Sequence, residues 1–169
     1  MSKRAGLGML AFAWLLLLGA ASLAFNDWLG QRQNPNQKPR TQLSDDGQQA
    51  VILQANRQHH YFAKARFNGV QATLLVDTGA TDVVLPEGLA RKLGLPRGPA
   101  SIANTANGRI EVYSTVIEEI VIGGIVLRKV KASINPAMGS DEPVLLGMSA
   151  LKNIEWRQRD GELLLIQTQ

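Results

Sequence analysis

Leu74-Leu75-Val76-Asp77-Thr78-Gly79-Ala80-Thr81 runs a short apolar segment into an acid, a hydroxyl and two small residues. An apolar run of this length, bounded by turn residues, reads as a buried strand, so Asp77 sits where a strand gives way to a loop. Upstream, His59 to Phe67 can put Tyr61, Ala63, Ala65 and Phe67 on one face, with Phe62, Lys64 and Arg66 opposite. That alternation is the pattern of a half-buried strand. Asn68-Gly69 supplies two residues that tolerate positive φ, and Ala72-Thr73-Leu74-Leu75-Val76 returns as the partner strand. The acid therefore ends the second arm of a hairpin.

Downstream the chain keeps to short β-type runs. Pro86 to Leu93 is a short helix, with proline in its first turn, Leu89 and Leu93 four apart and Gly94 as its stop. A second short helix starts near Met148. Strands are expected over Ile110–Ile117, Ile120–Ile122, Ile125–Val130 and Lys131–Ile134, with Gly123-Gly124 as one of the turns. Ile154–Gln158 and Leu163–Ile166 flank a further turn at Asp160-Gly161. Residues 51–169 thus read as an all-β domain carrying one or two short helices. Long helices alternating with strands would mark a parallel α/β sheet, and their absence excludes Rossmann-type and phosphatase-like architectures.

The Asp-Thr-Gly turn after an apolar strand, followed later by Val144-Leu145-Leu146-Gly147 ahead of a short helix, resembles the two landmarks of retropepsin-like, retroviral-type aspartic proteases. Order and spacing both agree. The resemblance implies an acid-protease β-barrel that cuts polypeptide substrates, with Asp77 as catalytic carboxylate and Thr78, Gly79, Ala80 and Thr81 completing its loop. Thr78 is then expected to hydrogen-bond across to a partner loop and Ala80 to line a substrate groove, while Gly79 lets backbone approach the carboxylates. Leu145, Leu146 and Gly147 form the second apolar-Gly motif. A mobile flap is expected over Ile102–Ile110, comprising Asn104, Thr105, Ala106, Asn107 and Gly108, with Asn107-Gly108 as the tip turn.

Chemistry accounts for these residue types. Peptide hydrolysis by this route needs two carboxylates around one water, one acting as base toward the water while the other donates to the carbonyl oxygen. Like charges about 3 Å apart cannot both ionise, so the pair shares a proton, its apparent pKa values belong to the pair, and an acidic optimum is expected. A single Asp-Thr-Gly occurs in the chain. The second acid must come from a second copy, which predicts a two-fold homodimer with the two Asp77 side chains meeting on its axis.

One departure is informative. Viral members carry an acid two residues after the motif's glycine, paired with an arginine after the later glycine; here those positions are Thr81 and Met148. Losing both together avoids a lone buried charge. The departure brings the chain closer to bacterial membrane-anchored relatives, and viral substrate preferences do not carry over. A catalytically inactive dimerisation or binding module is the alternative reading, though the intact Asp77-Thr78 pair carries no sign of decay. An aspartyl-phosphate enzyme would need a second acid where Gly79 stands.

The remaining residues narrow the function further. A net charge of +4 and a pI near 9.7 invite a nucleic-acid partner, but Lys and Arg are scattered among acids and apolar positions without a basic stripe. Nucleic acid is not an expected partner. The chain has no cysteine, which removes disulfides, thiol nucleophiles and thiolate metal sites. His59 and His60, as neighbours on a strand, would point to opposite faces and form no metal site by themselves. No metal or cofactor is expected. Asp82 reads as a substrate contact or as an exposed charge opening the next strand, and Trp156 as a core or interface aromatic.

Ala5 to Phe25 carries no charge and has about the length a helix needs to cross a bilayer. Residues 1–25 are therefore read as a single transmembrane anchor, with Trp28 as an interfacial aromatic. Lys3 and Arg4 orient the N-terminus to the cytoplasm and the rest of the chain outside; the resemblance to bacterial membrane-anchored relatives then implies a bacterial inner membrane with the protease domain in the periplasm. Ser22-Leu23-Ala24 also suits a signal peptidase, and a cleaved signal would export the same domain. Residues 26–50, rich in Gln, Asn and Pro, read as a flexible polar linker reaching about 25–30 Å.

Overall fold

The computed structural model describes residues 3–44, 46–105 and 108–168, and the chain divides into two units, Met1–Gln33 and Asn34–Gln169. The first is the helix α1 (Lys3–Gln33). Its stretch Gly8–Gln33 is long and apolar enough to cross a membrane. Large apolar side chains from Met9 to Leu29 face outward along it, as they do on a helix that has no protein core to enter. The helix continues past Phe25, where the polar linker was expected to begin. Trp28 and Arg32 stand one turn apart there, and the guanidinium carbon lies 3.5 Å from the indole centroid, a cation–π contact that supports the extra turns.

In the second unit, β3 (Phe62–Phe67) and β4 (Val70–Val76) pair with Phe67 opposite Val70. Asn68 and Gly69 close this hairpin at φ +45° and +83°, the conformation whose twist matches the strands it joins. Tyr61, Ala63, Ala65 and Phe67 are all buried. The strand begins at Phe62, not at His59. His59, at φ +61°, lies in a surface turn with His60, whose N–H donates to the Asn56 side chain. The two histidines are exposed loop residues, not opposite faces of one strand.

The chain continues through β5 (Val83–Pro86), α2 (Glu87–Lys92), β6 (Ala100–Thr105), β7 (Gly108–Ile122), β8 (Ile125–Asn135), β9 (Val144–Leu146) and α3 (Met148–Leu151). One sheet runs in the order β3-β4-β9-β5-β8-β7-β6, and an additional pairing of Phe67 with Ile120 brings β3 back against β7. That pairing curls the sheet into a barrel. Phe67, Leu74, Ile117, Ile120 and Leu146 fill it, each fully buried. Pro86 ends β5 and precedes α2, with Gly94 at φ +65° beyond the helix.

A second sheet holds β1 (Arg40–Leu43), β2 (Gln49–Gln54), β10 (Ile154–Arg159) and β11 (Glu162–Gln167), in the order β1-β2-β11-β10. Asp160 and Gly161, at φ +50° and +79°, turn β10 into β11. β1 and the start of β2 fall within residues 26–50, so the expectation of a flexible linker across that whole stretch is corrected. Asn36 explains the order. Its amide nitrogen donates to the carbonyls of Gln54 (2.9 Å) and Phe62 (2.6 Å), and its carbonyl accepts from the Gln54 N–H (2.8 Å). Hydrogen bonds to the folded domain offset the ordering entropy that apolar burial does not cover.

Candidate active site

β9 lies between the two strands that flank the Asp77 loop. Val76, the last residue of β4, pairs in parallel with Leu146, while Val84 of β5 stands opposite Leu145. The Asp77 N–H then donates to the Leu146 carbonyl at 3.2 Å. Beyond it the chain folds into a tight turn: the Gly79 N–H donates to Asp77 Oδ1 at 2.9 Å, and the Ala80 N–H to the Asp77 carbonyl at 3.3 Å. A Cβ on Gly79 would stand 3.2 Å from that same Oδ1, so glycine leaves the carboxylate its acceptor geometry. Asp77 is half-buried, and Thr78 and Gly79 are exposed.

The second apolar-Gly motif holds this loop from behind. Met148 N–H donates to the Ala80 carbonyl (2.8 Å) and Ser149 N–H to that of Thr81 (2.9 Å). Ser149, itself buried, accepts the Val83 N–H at 2.9 Å and donates to the Lys131 carbonyl at 2.7 Å. One hydroxyl thereby ties together β5, β8 and α3. Gly147 makes the approach possible, because a Cβ there would fall 2.6 Å from the Ala80 carbonyl oxygen and closer still to that of Asp82. Thr81 and Met148, the two uncharged positions singled out in the sequence, are each joined across the two loops by one of these backbone bonds.

A groove of about 750 Å³ opens at the loop, lined by Asp77, Gly79, Ala80, Thr81 and Leu145 on one side and by Ile102, Asn104, Thr105 and Ile110 on the other. The second set belongs to the β6–β7 hairpin, the expected flap. Thr105 pairs with Gly108, and the Thr105 hydroxyl donates to the Gly108 carbonyl at 2.8 Å. Gly108, at φ +110°, is therefore the first residue of the returning strand. Ala106 and Asn107, the other two expected flap residues, lie outside the described residues. Nearer the hairpin's base, the Tyr113 hydroxyl donates to Glu111. That carboxylate pushes the phenol above its ordinary value, so Tyr113 stays neutral across the range in which carboxylates exchange protons.

Asp82 also lines the groove, which makes it the nearest thing to a second acid in the chain. Its Oδ2 lies 3.2 Å from Lys131 Nζ and accepts from the Ser133 hydroxyl at 3.3 Å. That carboxylate is engaged by a lysine and a serine on β8. The groove therefore holds one carboxylate without a cation, Asp77, among the described residues. Sequence reasoning missed Ser149, Lys131 and Ser133, since single polar residues on β8 and α3 carry no periodic signal. Ser149 follows the Gly147 motif by two residues, and only that adjacency could have pointed to it.

The sequence pattern of the gag-polyprotein aspartyl protease family matches residues 63–153, from the β3–β4 hairpin to just beyond α3. A retropepsin-like aspartic protease from Rickettsia conorii has a similar crystal structure, with a TM-score of 0.56 and 26% identity over 77% of this chain and 95% of that one. An uncharacterised protein from the cobV 5′ region of Sinorhizobium sp is 38% identical over 126 residues, 71% of this chain and 53% of that protein. An uncharacterised protein of Rickettsia prowazekii is 29% identical over 119 residues, 69% of this chain and 50% of that protein. The chain spans about half the length of these two curated relatives.

Proposed function

The chain belongs to the gag-polyprotein aspartyl protease family and has a retropepsin-like fold, and from that premise we propose that it is a membrane-anchored aspartic endopeptidase acting as a homodimer. The observation that carries this reading is that Asp77 is, among the described residues, the one carboxylate lining the groove without a cation beside it; it stands half-buried, on a loop whose next two residues are exposed. A second copy facing that loop supplies the missing acid and covers the exposed Thr78 and Gly79.

In the dimer one Asp77 carboxylate takes a proton from water as the water oxygen attacks the peptide carbonyl carbon. The other, protonated, gives its proton to the carbonyl oxygen. The tetrahedral species then collapses: the C–N bond breaks, the amine leaves with the proton held by one carboxylic acid, and a hydroxyl of the gem-diol returns its proton to the other carboxylate as the C=O bond re-forms, so the pair again shares one proton. The β6–β7 hairpin closes over the polypeptide and excludes bulk water. α1 anchors the chain in a bacterial inner membrane, with Lys3 and Arg4 on the cytoplasmic side and Asn34–Gln169 in the periplasm. Confinement to one membrane raises the effective concentration of the two protomers.

Digestion of an unfolded protein by the full chain in detergent, from about pH 3 to pH 8, tests this reading. The dyad works with one proton, so activity is present below the upper apparent pKa of the pair and is lost as pH rises through it. The expected profile is a bell with an acidic maximum. A rate still climbing through about pH 8 excludes a carboxylate pair.

A further inference from the structure

β8 departs from a regular strand at Lys129. Ile125 and Leu127 are buried in its first half, and Val130, Ala132 and Ile134 in its second, so the buried face changes parity between residues 127 and 130. Lys129 makes that change with φ +52°. Among the described residues, the other non-glycine positions at positive φ are His59, Asn68 and Asp160, residue types that tolerate it, and all three lie outside the strands. Lys129 alone holds the conformation inside a strand, where a long side chain makes it costly. As a result Arg128 and Lys129, although adjacent, are both exposed, as is Lys131.

A second cavity, of about 360 Å³, is lined by these three cations together with Lys152 at the end of α3. No acid lines it among the described residues. Arg128 is paired with Glu119 at 3.0 Å, and Lys131 with Asp82 at 3.2 Å. Lys129 and Lys152 form no ion pair among the described residues, so the cavity carries two positive charges in excess.

We propose that this cavity binds a phosphate dianion, as the free ion or as a phosphomonoester headgroup. Two unpaired cations match the charge of one dianion, and a guanidinium beside them offers the planar donor pair that phosphate oxygens accept. The strain at Lys129 gathers like charges that repel one another; a ligand that neutralises them accounts for both. Lys131 joins this site to the groove, since it lines the cavity while its ammonium group pairs with Asp82. Phosphate and Asp82 compete for that ammonium group, so removing the Asp82 charge strengthens phosphate binding, and bound phosphate loosens the Asp82 pair. The site does not rest on the protease reading, and its test uses no substrate.

Inorganic phosphate is titrated calorimetrically into the full chain in detergent, at about pH 7, where the dianion is abundant. Saturable binding is expected, with Kd about 1 mM or below. Lys129→Gln combined with Lys152→Gln should weaken it at least about tenfold, with the thermal midpoint unmoved because both side chains are exposed. Asp82→Asn, which releases Lys131, should tighten it about threefold or more. No saturation by about 10 mM phosphate, undiminished binding in the double variant, or acetate bound as tightly overturns the site. An affinity unmoved by Asp82→Asn contradicts the sharing of Lys131. Nanodiscs of equal surface charge, carrying either phosphatidic acid or phosphatidylglycerol, identify the source of the phosphate. A phosphomonoester headgroup in the site weakens the titration in the phosphatidic acid discs alone; equal affinity in both assigns the soluble ion.

Discussion

Asp77→Asn is expected to lower the rate of peptide hydrolysis by about 10⁴-fold while leaving the fold intact. An amide cannot take a proton from water or share one with a neighbour, and in a homodimer the substitution removes both catalytic groups at once. The structural bonds survive. The side-chain oxygen that accepts the Gly79 N–H at 2.9 Å is kept by asparagine, and the backbone bond from residue 77 to the Leu146 carbonyl does not involve the side chain. The thermal midpoint should therefore move by only a few degrees, as for the loss of about 1 kcal/mol or less. Paired measurements of kcat on a fluorogenic peptide and of Tm check both halves. Retention of more than about a tenth of the wild-type rate would remove Asp77 from the chemistry.

The largest structural effect is expected at Gly147. Its φ of −86° is open to any residue, so its role is spatial. The Cβ of an alanine would fall 2.6 Å from the Ala80 carbonyl oxygen and nearer still to that of Asp82. Both neighbours are backbone, and Ala80 is further held by the Met148 N–H; no side chain can rotate away. Gly147→Ala should cost about 3 kcal/mol, at the upper end for overpacking, and lower Tm by about 10 °C. Because Ala80 and Asp82 both line the groove, the folded fraction should also lose activity. Chemical denaturation read beside kcat separates the two losses, and a cost below about 1 kcal/mol would mean that the loop and β9 are less tightly apposed than described.

What was legible in the sequence follows from where the determining interactions lie. Asn68-Gly69 and Asp160-Gly161 announced their hairpins because turn chemistry is local, and both turns have the positive φ values they require. The parallel pairing of β4 with β9 joins segments far apart in the chain, and nothing local in either segment announced it. Glu118-Glu119 broke the apolar pattern and suggested two strands, yet β7 runs straight through. Glu119 lies opposite Arg128, and their charged atoms meet at 3.0 Å across the ladder. Ser149 and Asn36 left no trace at all, since a single polar side chain bonded to distant backbone has neither period nor motif. The same limit concealed β1. Trp156 could be read as a core or an interface aromatic; it stands opposite the buried Leu165 of β11 and is 42% exposed.

The central claim is that one carboxylate comes from each of two chains. Wild-type and Asp77→Asn chains, mixed in known ratios and allowed to exchange subunits at constant total concentration, test it most directly. If both acids are needed, only wild-type pairs are active, and specific activity should follow the square of the wild-type fraction. An activity that instead falls in direct proportion to that fraction would mean that a single chain cleaves without its partner's Asp77.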